Sequence, residues 1–210
     1  MTVVRRIRAD ERDQALATVI EAFRTDPQVR WYLPDDATYA SGASSFFGLL
    51  LDVRVEGGEV WVTDDCAAVA MWNPPGGNLL GPEEADARYA RMAEALPAPS
   101  GARVLAMDAA VDELLPHEPH WYLGVLACHP SRQGKGLASA VIAPVLASAD
   151  RTGLPVALET GTAANVAFYT RRGFAVTGQA CLSGSLGLPA QDAGACGELP
   201  VWVMRREPVA

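Results

Sequence analysis

The feature that most constrains the fold is a glycine turn between an apolar run and a stretch suited to a helix. The run Trp121–Cys128 leads into the hexapeptide Gln133-Gly134-Lys135-Gly136-Leu137-Ala138, and residues 137–148 can form a helix. Such a turn leaves backbone N–H groups unpaired at the positive end of a helix dipole, which favours a phosphate or pyrophosphate. An ordinary strand-to-helix turn with additional glycines explains the same residues. The spacing matches neither a Walker loop nor a dinucleotide fingerprint.

Composition narrows the class of protein. The chain has 210 residues, half of them hydrophobic, which is enough for a sizeable core in one domain. The formal net charge of −8 argues against a nucleic-acid partner. The same charge suits a site that attracts cationic amines, and it equally suits plain solubility.

Cysteine spacing and hydropathy bear on metals, disulfides and location. The four cysteines show no pattern typical of metal ligands, so we expect no metal. Cys181 and Cys196 flank a loop and can pair under oxidising conditions. Residues 1–8 have no apolar core typical of a signal peptide, and the longest apolar stretch, 137–149, is too short to span a bilayer. We therefore expect a cytoplasmic protein with no membrane partner.

Hydrophobic periodicity predicts an α/β layered fold. Strands are expected at 3–7, 59–63, 67–72, 121–128, 155–160, 174–181 and 201–204, and helices at 10–24, 39–53, 83–96, 104–115, 137–149 and 163–172. Residues 31–34 are expected to form an aromatic connection, and 183–197 a loop. Hairpin strands followed by alternating strands and helices predict a sheet with both parallel and antiparallel pairs.

A second polar cluster follows the glycine turn. Asn165 and Tyr169 lie four residues apart, so a helix places them on one face. An amide and a phenol there can hold a pantetheine amide and set a hydroxyl beside a leaving thiolate. A helix-start asparagine and a half-buried tyrosine would give the same residues a purely structural role.

Together the two clusters resemble the GNAT superfamily of N-acetyltransferases. The family pattern Gln/Arg-x-x-Gly-x-Gly/Ala is met by Gln133 to Ala138, and its later pattern by Asn165, Tyr169, Gly173 and Phe174. Segments 23–34, 60–72, 119–136, 158–160 and 202–208 are also similar to the puromycin N-acetyltransferases of actinomycetes. The chain departs from them in the longer 183–197 loop and in residues 24–31, on the side where the acceptor would bind.

The resemblance implies a fold and a set of roles. It implies one GNAT domain over residues 1–210, with a CoA-binding core at about 119–180. It also implies a mostly antiparallel sheet of about seven strands, flanked by helices, with two strands splayed apart at the CoA site. Tyr169 would protonate the departing thiolate of acetyl-CoA, and Asn165 would contact the pantetheine. The remaining CoA contacts would come from Leu126, Ala127, Cys128, Gln133, Gly134, Lys135, Gly136, Leu137, Ala138 and Ser139.

The base and the acceptor pocket are less constrained by the sequence. Glu159 is a candidate general base, acting through a water, and a structural ion pair is an equal alternative. His129 could also titrate usefully, while His117 and His120 resemble connector residues. Asp26, Trp31 and Tyr32 are candidates for the acceptor pocket, although core packing or a loop anchor would explain each of them.

The predicted function is acetyl transfer to a small-molecule primary amine, such as the antibiotic puromycin, by direct attack in a ternary complex. Acetylation of protein or peptide N-termini is the near alternative. A non-catalytic acyl-CoA-binding module is a third, against which Asn165 and Tyr169 argue. A monomer and a homodimer are both compatible with the sequence.

Overall fold

The computed structural model describes residues 2–77, 81–182 and 199–209. Within these residues seven strands form a single sheet. They are β1 (Val4–Arg6), β2 (Glu59–Thr63), β3 (Ala68–Asn73), β4 (Trp121–Cys128), β5 (Val156–Thr160), β6 (Ala175–Leu182) and β7 (Leu199–Arg206). The helices are α1 (Arg12–Ala22), α2 (Pro27–Tyr32), α3 (Asp36–Gly57), α4 (Pro82–Ala95), α5 (Ser100–Asp112), α6 (Leu137–Thr152) and α7 (Ala163–Thr170).

The strand order is β1-β2-β3-β4-β5-β7-β6. β4 and β5 pair in parallel, and the other neighbouring strands pair antiparallel. This confirms the predicted α/β fold with a mixed, mostly antiparallel sheet. No helix in the described part of the chain combines the length and apolarity needed to cross a bilayer.

β4 and β5 separate part-way along their length. Their pairing is confined to residues 121–123 of β4 and 156–158 of β5. Beyond that point β4 keeps only its antiparallel partner, β3. The predicted splayed pair is therefore present, and one edge of β4 faces the gap without a partner strand.

A β-bulge at Gly124 marks the point of separation. Leu123 pairs with Trp72 and Val125 with Met71, so Gly124 has no opposite residue. The extra residue also changes which side chains face which side of the sheet. Trp121 and Leu123 pack with α6, whereas Val125 and Ala127 pack with the helices on the opposite face.

The core therefore has two parts, one on each face of the sheet. The larger part contains Tyr39, Phe47 and Leu51 from α3, which are almost fully buried against β2, β3 and α1. The other part contains Val141 and Ile142 from α6. The amphipathic pattern of each helix supplies the apolar face for its layer.

Helix α2 overlaps a segment that the sequence predicted as a connection. Residues 27–32 form helix α2, so the aromatic connection predicted at 31–34 is wrong in its first half. Asp26 caps this helix through Oδ1 and Pro27 occupies its first turn. Gly173, which follows α7, has a left-handed conformation, with φ of +86°. The predicted 183–197 loop, and with it the pairing of Cys196, lies outside the described residues.

Candidate active site

A cleft of about 550 Å³ opens where β4 leaves β5, between the end of β4, the start of α6 and α7. Most of the residues predicted to contact CoA line it together: Leu126, Cys128, Gln133, Gly134, Gly136, Leu137, Ala138, Ser139 and Asn165. Tyr169 also lines the cleft. The topology of the sheet thus brings two segments of sequence to one opening.

The glycine turn has the backbone conformation that anion binding requires. Gly134 and Gly136 have φ of +75° and +77°, and a Cβ added at either residue would meet nothing within 4 Å. Glycine is therefore required here by backbone conformation, with no steric demand from neighbours. Gly136 caps α6, and Ala140 is the first residue of the helix whose N–H bonds back to it. The N–H groups of residues 137–139 therefore lack intrahelical acceptors.

The free edge of β4 offers further donors. The N–H of His129 donates to the Ala67 carbonyl of the neighbouring chain segment. Because successive N–H groups alternate in direction along a strand, those of Leu126 and Cys128 point away from β3, into the gap. The backbone N–H of Ala127 points toward β3 instead. Ala127 is almost fully buried and does not line the cleft. Lys135 is exposed and also lies outside the cleft lining.

A second cavity, of about 600 Å³, lies on the other side of the splayed strands. Its walls come from α2, α3, α4 and α5, closed by β4 and β5. Five residues line both this cavity and the cleft: Phe23, Asp26, Leu126, Asn165 and Tyr169. A molecule in the cleft and a molecule in the cavity would therefore meet beside Asn165 and Tyr169.

Tyr169 is held rigidly at this junction. It is 7% exposed, and its ring packs edge-on against Phe168 and Phe174 with centroids 5.1 and 5.6 Å away. Burial raises the pKa of its phenol above the ordinary value of 10, and the negative charge of Glu159 adds to the effect. The hydroxyl therefore stays protonated at neutral pH and can act as a proton donor.

Glu159 lies on β5 in the second cavity. Its Oε2 accepts a 2.6 Å hydrogen bond from the hydroxyl of Tyr122, and among the described residues no cation forms an ion pair with it. Burial raises the pKa of Glu159 to about 7, against the opposing effect of the Tyr122 hydrogen bond. A carboxylate with this pKa can accept a proton near neutral pH. The alternative of a structural ion pair has no support in the described residues.

A family model described as acetyltransferase (GNAT) family matches residues 54–174. The chain belongs to the GNAT family. The match covers more than half of the chain, including both splayed strands, the glycine turn and α7. The protein is accordingly an N-acetyltransferase.

Known proteins extend the comparison beyond the matched segment. The chain is 25% identical over 187 residues to an uncharacterized N-acetyltransferase of Schizosaccharomyces pombe, covering 81% of this chain and 73% of the relative. An acetyltransferase of Corynebacterium glutamicum, described as histone acetyltransferase HPA2 and related acetyltransferase, superposes with a TM-score of 0.63 at 22% identity, over 100% of this chain and 97% of that one.

Two amine-acetylating enzymes share the fold across nearly the whole chain. Agmatine N-acetyltransferase superposes with a TM-score of 0.66 at 15% identity, over 99% of this chain and 100% of the other. Arylalkylamine N-acetyltransferase 2 of Aedes aegypti has a TM-score of 0.66 at 13% identity, over 98% of each chain. At these identities the likeness establishes the GNAT fold.

The residues predicted for the acceptor pocket divide into two groups. Asp26 and Tyr32 line the second cavity. Asp26 also caps α2, by accepting from the N–H groups of Gln28 and Val29. Trp31 does not line the cavity; its ring lies beneath the guanidinium of Arg103, which also donates to the Trp31 carbonyl.

The three histidines lie away from the junction. His129 caps the short turn 130–132 by accepting from the Ser131 N–H, and it lines neither cavity. His117 and His120 lie in the lining of the second cavity. Glu159 differs from them in its hydrogen bond to Tyr122 within the second cavity.

Arg172 was not identified from the sequence, although it lines the cleft. Its guanidinium lies 3.5 Å above the centre of the Phe168 ring, donates to the Phe168 carbonyl at 2.6 Å and contacts Ser139 Oγ. The available signal was the spacing of Phe168 and Arg172, four residues apart at the end of the GNAT α7 helix. Arg172 provides a fixed positive charge beside the first turn of α6.

Carboxylates outnumber arginines and lysines in the described lining of the second cavity. Arg54 is the one arginine or lysine among its described lining residues. The lining carboxylates are Asp26, Asp86, Asp108, Asp112, Glu118 and Glu159. Burial raises the pKa of Asp108 to about 6, with Asp112 nearby as a second cause. Desolvated carboxylates in a cavity favour a cationic occupant.

Proposed function

We propose that this GNAT enzyme transfers the acetyl group of acetyl-CoA to the primary amine of a small molecule. The observation that carries the proposal is the meeting of two cavities at Asn165 and Tyr169. One cavity has the donors suited to a pyrophosphate and pantetheine arm, and the other has carboxylates suited to an amine. The whole chain would act as one GNAT domain in the cytoplasm, with residues 119–180 as the CoA-binding core.

The donor side would hold acetyl-CoA mainly through backbone groups. The N–H groups at the start of α6 would receive the pyrophosphate, and the positive end of the helix dipole would strengthen them. Arg172 would add a charged side chain beside them. The gap-facing edge of β4 would bond the pantetheine arm and the thioester carbonyl. Asn165 would contact the pantetheine from α7.

The acceptor side favours a compact cationic amine. Helices α2, α3, α4 and α5 wall the cavity, and carboxylates outnumber cations in its described lining. Agmatine N-acetyltransferase and an arylalkylamine N-acetyltransferase share the fold, and both names denote small amines. A small primary amine bound with its ammonium near Glu159 fits this lining.

The chemistry would proceed by direct attack within a ternary complex. Glu159 would take one proton from the bound ammonium, through a water, leaving a neutral amine. The amine nitrogen would bond to the thioester carbonyl carbon as the carbon–sulfur bond breaks, and Tyr169 would give its proton to the departing thiolate. The remaining excess proton of the acylated nitrogen would pass through water to the Tyr169 phenolate, which restores the phenol and leaves the neutral amide. Backbone N–H groups of β4 would stabilise the oxyanion, and the fixed proximity of the two substrates would supply much of the acceleration.

Puromycin remains the specific acceptor suggested by sequence resemblance. Segments 23–34, 60–72, 119–136, 158–160 and 202–208 carry that resemblance, and residues of 23–34, 119–136 and 158–160 line the second cavity. The relatives named above give puromycin no independent support. Antibiotic resistance is therefore a narrower hypothesis within the small-amine proposal.

An acceptor panel tests the proposal. Purified protein would be incubated with acetyl-CoA and, separately, agmatine, an arylalkylamine, puromycin and a peptide with a free N-terminus. Thiol release and mass spectrometry of the acceptor are the measurements. We expect acetylation of at least one small amine and loss of that activity in Glu159→Gln. Turnover of the peptide alone would overturn the small-molecule assignment, and binding of acetyl-CoA without turnover of any acceptor would support the acyl-CoA-binding module.

A further inference from the structure

Arg54 is a buried cation with no carboxylate partner among the described residues. It lies on α3, is 5% exposed and lines the second cavity. Its Nη1 donates to the Leu50 carbonyl at 3.2 Å, within its own helix, and its buried Nε has no hydrogen-bond partner in the described part of the chain. Among the described residues no carboxylate oxygen comes within 4.0 Å of the guanidinium. A buried charge is costly unless the surrounding groups compensate it.

The position of this guanidinium is coupled to Gly124. A Cβ at residue 124 would lie 3.0 Å from Arg54 Cζ and closer still to Nη2. Gly124 is also the bulged residue at which β4 separates from β5. The absence of a side chain at the bulge therefore leaves the space that Arg54 occupies. The same Cβ would lie 3.2 Å from Cε1 of Tyr122, so the Arg54 guanidinium and the Tyr122 ring lie next to the same bulged residue in the cavity lining.

Titratable groups from five other elements interact electrostatically with Arg54 or with Glu159. Negative charge on Glu159 and Asp108 acts on Arg54 and opposes the lowering of its pKa by burial. The charge of Arg54 in turn lowers the pKa of Glu159, while Asp108 raises it. The other groups that act on one or both are Tyr32 from α2, Tyr89 from α4, Tyr122 from β4 and Tyr169 from α7.

We propose that Arg54 is a positioning residue that acts through Glu159. Seated in the space left by Gly124, it provides the fixed positive charge that keeps the Glu159 carboxylate ionised and hydrogen-bonded to Tyr122 when the amine arrives. This inference rests on the proposed function, because it assigns Glu159 the role of base. It explains why a cavity suited to cations contains one buried arginine: that charge serves the base and leaves the outer carboxylates for the acceptor.

The first test measures Glu159 without any substrate. Protein labelled with ¹³C at glutamate carboxyl carbons would be titrated by NMR, and the Glu159 resonance assigned by its loss in Glu159→Gln. In Arg54→Met we expect the midpoint of Glu159 to rise by about one pH unit, the lower range for loss of a nearby opposite charge. An unchanged midpoint in a folded variant would overturn the proposal. Because this measurement needs no acceptor, its outcome does not depend on the acetyl transfer itself.

The second test measures turnover against pH with an acceptor from the panel. With a midpoint moved by one unit from about 7, the ionised fraction at pH 7 falls about fivefold. The kcat/KM of Arg54→Met should therefore drop about fivefold at pH 7 and recover above pH 9, and Arg54→Lys should restore most of it at pH 7. A loss of kcat/KM that is equal at every pH would assign Arg54 a structural role only. Failure of the wild type to turn over any acceptor would count against the proposed function, leaving the NMR result to decide the role of Arg54.

Gly124→Ala tests the coupling between Arg54 and the bulge by a second substitution. The added methyl group must displace the end of the Arg54 side chain while the charge stays in the protein. In Gly124→Ala we expect the titration midpoint of Glu159 to shift in the same direction as in Arg54→Met. In the double variant the midpoint should shift no further than in Arg54→Met alone. Additive shifts would show that the two residues act separately and would contradict the coupling.

Discussion

Two residues with shifted pKa values carry the proposed chemistry, and the same physical cause acts on both. Burial favours the neutral form of Tyr169 and of Glu159. For the tyrosine this means a proton that is retained at neutral pH and is available to a thiolate that forms beside it. For the glutamate it means a pKa of about 7, which suits a base that works near neutral pH. One environment thus supplies an acid and a base.

Replacement of Tyr169 by phenylalanine should separate catalysis from binding. The ring contacts with Phe168 and Phe174 would remain, while the proton donor would be lost. We expect kcat to fall by about 10²-fold or more, in the usual range for a general acid, with the Kd for acetyl-CoA changed less than threefold. Steady-state kinetics and calorimetry measure the two quantities, and an unchanged kcat would remove Tyr169 from the mechanism.

The acidic limb of the pH profile should belong to Glu159. Its pKa is raised to about 7, so the base is ionised above that pH and kcat/KM should fall about tenfold per unit below it. In Glu159→Gln we expect a rate at least 10²-fold lower at pH 8 and no limb near pH 7. Asp108→Asn is the control, because Asp108 is a second carboxyl group in the same cavity whose pKa is raised, to about 6. This variant should keep the acidic limb. A limb that persists in Glu159→Gln would point to another base.

For single residues, the sequence was informative where the predicted role depends on spacing between neighbours along the chain. Gly134 and Gly136 precede a helix, and Asn165 and Tyr169 share a helix face, so spacing alone was informative. Tyr122 and Arg54 could not be found in this way, because their importance arises from contacts between strands and helices distant in sequence. Ala127 shows the converse: the run Trp121–Cys128 was correctly assigned as a strand, but spacing does not tell which N–H groups face the gap.

At the scale of elements, α6 begins and ends with a left-handed glycine. Gly136 and Gly153 have φ of +77° and +67°, and a Cβ at either residue would meet nothing within 4 Å. Gly136 borders the cleft, whereas Gly153 follows the opposite end of the helix. The two positions therefore form a matched pair with similar backbone requirements and different proximity to the proposed ligand.

Alanine at these two glycines should give equal stability losses and unequal binding losses. Each substitution forces an L-residue into the left-handed region, which costs about 1–2 kcal/mol. We expect similar losses in the free energy of unfolding for Gly136→Ala and Gly153→Ala, measured by urea titration. The Kd for acetyl-CoA should rise at least fivefold in Gly136→Ala and stay within twofold in Gly153→Ala. Equal effects on Kd would mean that the turn does not contact the donor.

Two elements show where sequence patterns were insufficient. Asp26-Pro27 is a typical helix start, yet the short length of α2 and its aromatic residues favoured a connection. The bulge at Gly124 reverses the inward faces of β4, and a glycine inside an apolar run does not reveal whether it is bulged or regular. Both outcomes depend on packing against α3, with Tyr32 contacting Phe46 and Arg54 lying against Gly124.

For the whole molecule, the sheet separates the two core layers. An ion pair between Arg206 and Asp150 connects strand β7, near one edge of the sheet, to helix α6. Arg206 of β7 is 7% exposed and binds both oxygens of Asp150, at 2.7 and 2.9 Å, and its Nε donates to the Arg172 carbonyl. Asp150 also accepts from the N–H of Val209. The final strand is thereby joined to the helix that begins at the glycine turn and to the end of α7.

Asp150→Asn should destabilise the fold in a pH-dependent way. Arg206 lowers the pKa of Asp150, so its stabilisation is fully present above the ordinary value of 3.8 and is lost as pH falls through the lower folded value. We expect a loss of about 1–3 kcal/mol at pH 7, or about 2–4 °C in Tm per kcal/mol, that disappears in acid. Glu84→Gln, which removes a more exposed partner of Arg88, should cost less than about 0.5 kcal/mol. Equal losses in the two variants would show that burial of Arg206 adds nothing.

Direct transfer across the junction of the two cavities is the central claim for the whole molecule. Cys128 lies in the cleft with a free thiol, so a covalent route through an acetyl-cysteine is the chemical alternative. The decisive measurement is the intact mass of the protein after incubation with acetyl-CoA alone, followed by addition of the best amine from the panel. Direct transfer predicts unmodified protein before the amine is added and acetylated amine after it. Stoichiometric acetylation of the protein, with transfer of that acetyl group to the amine, would contradict direct attack.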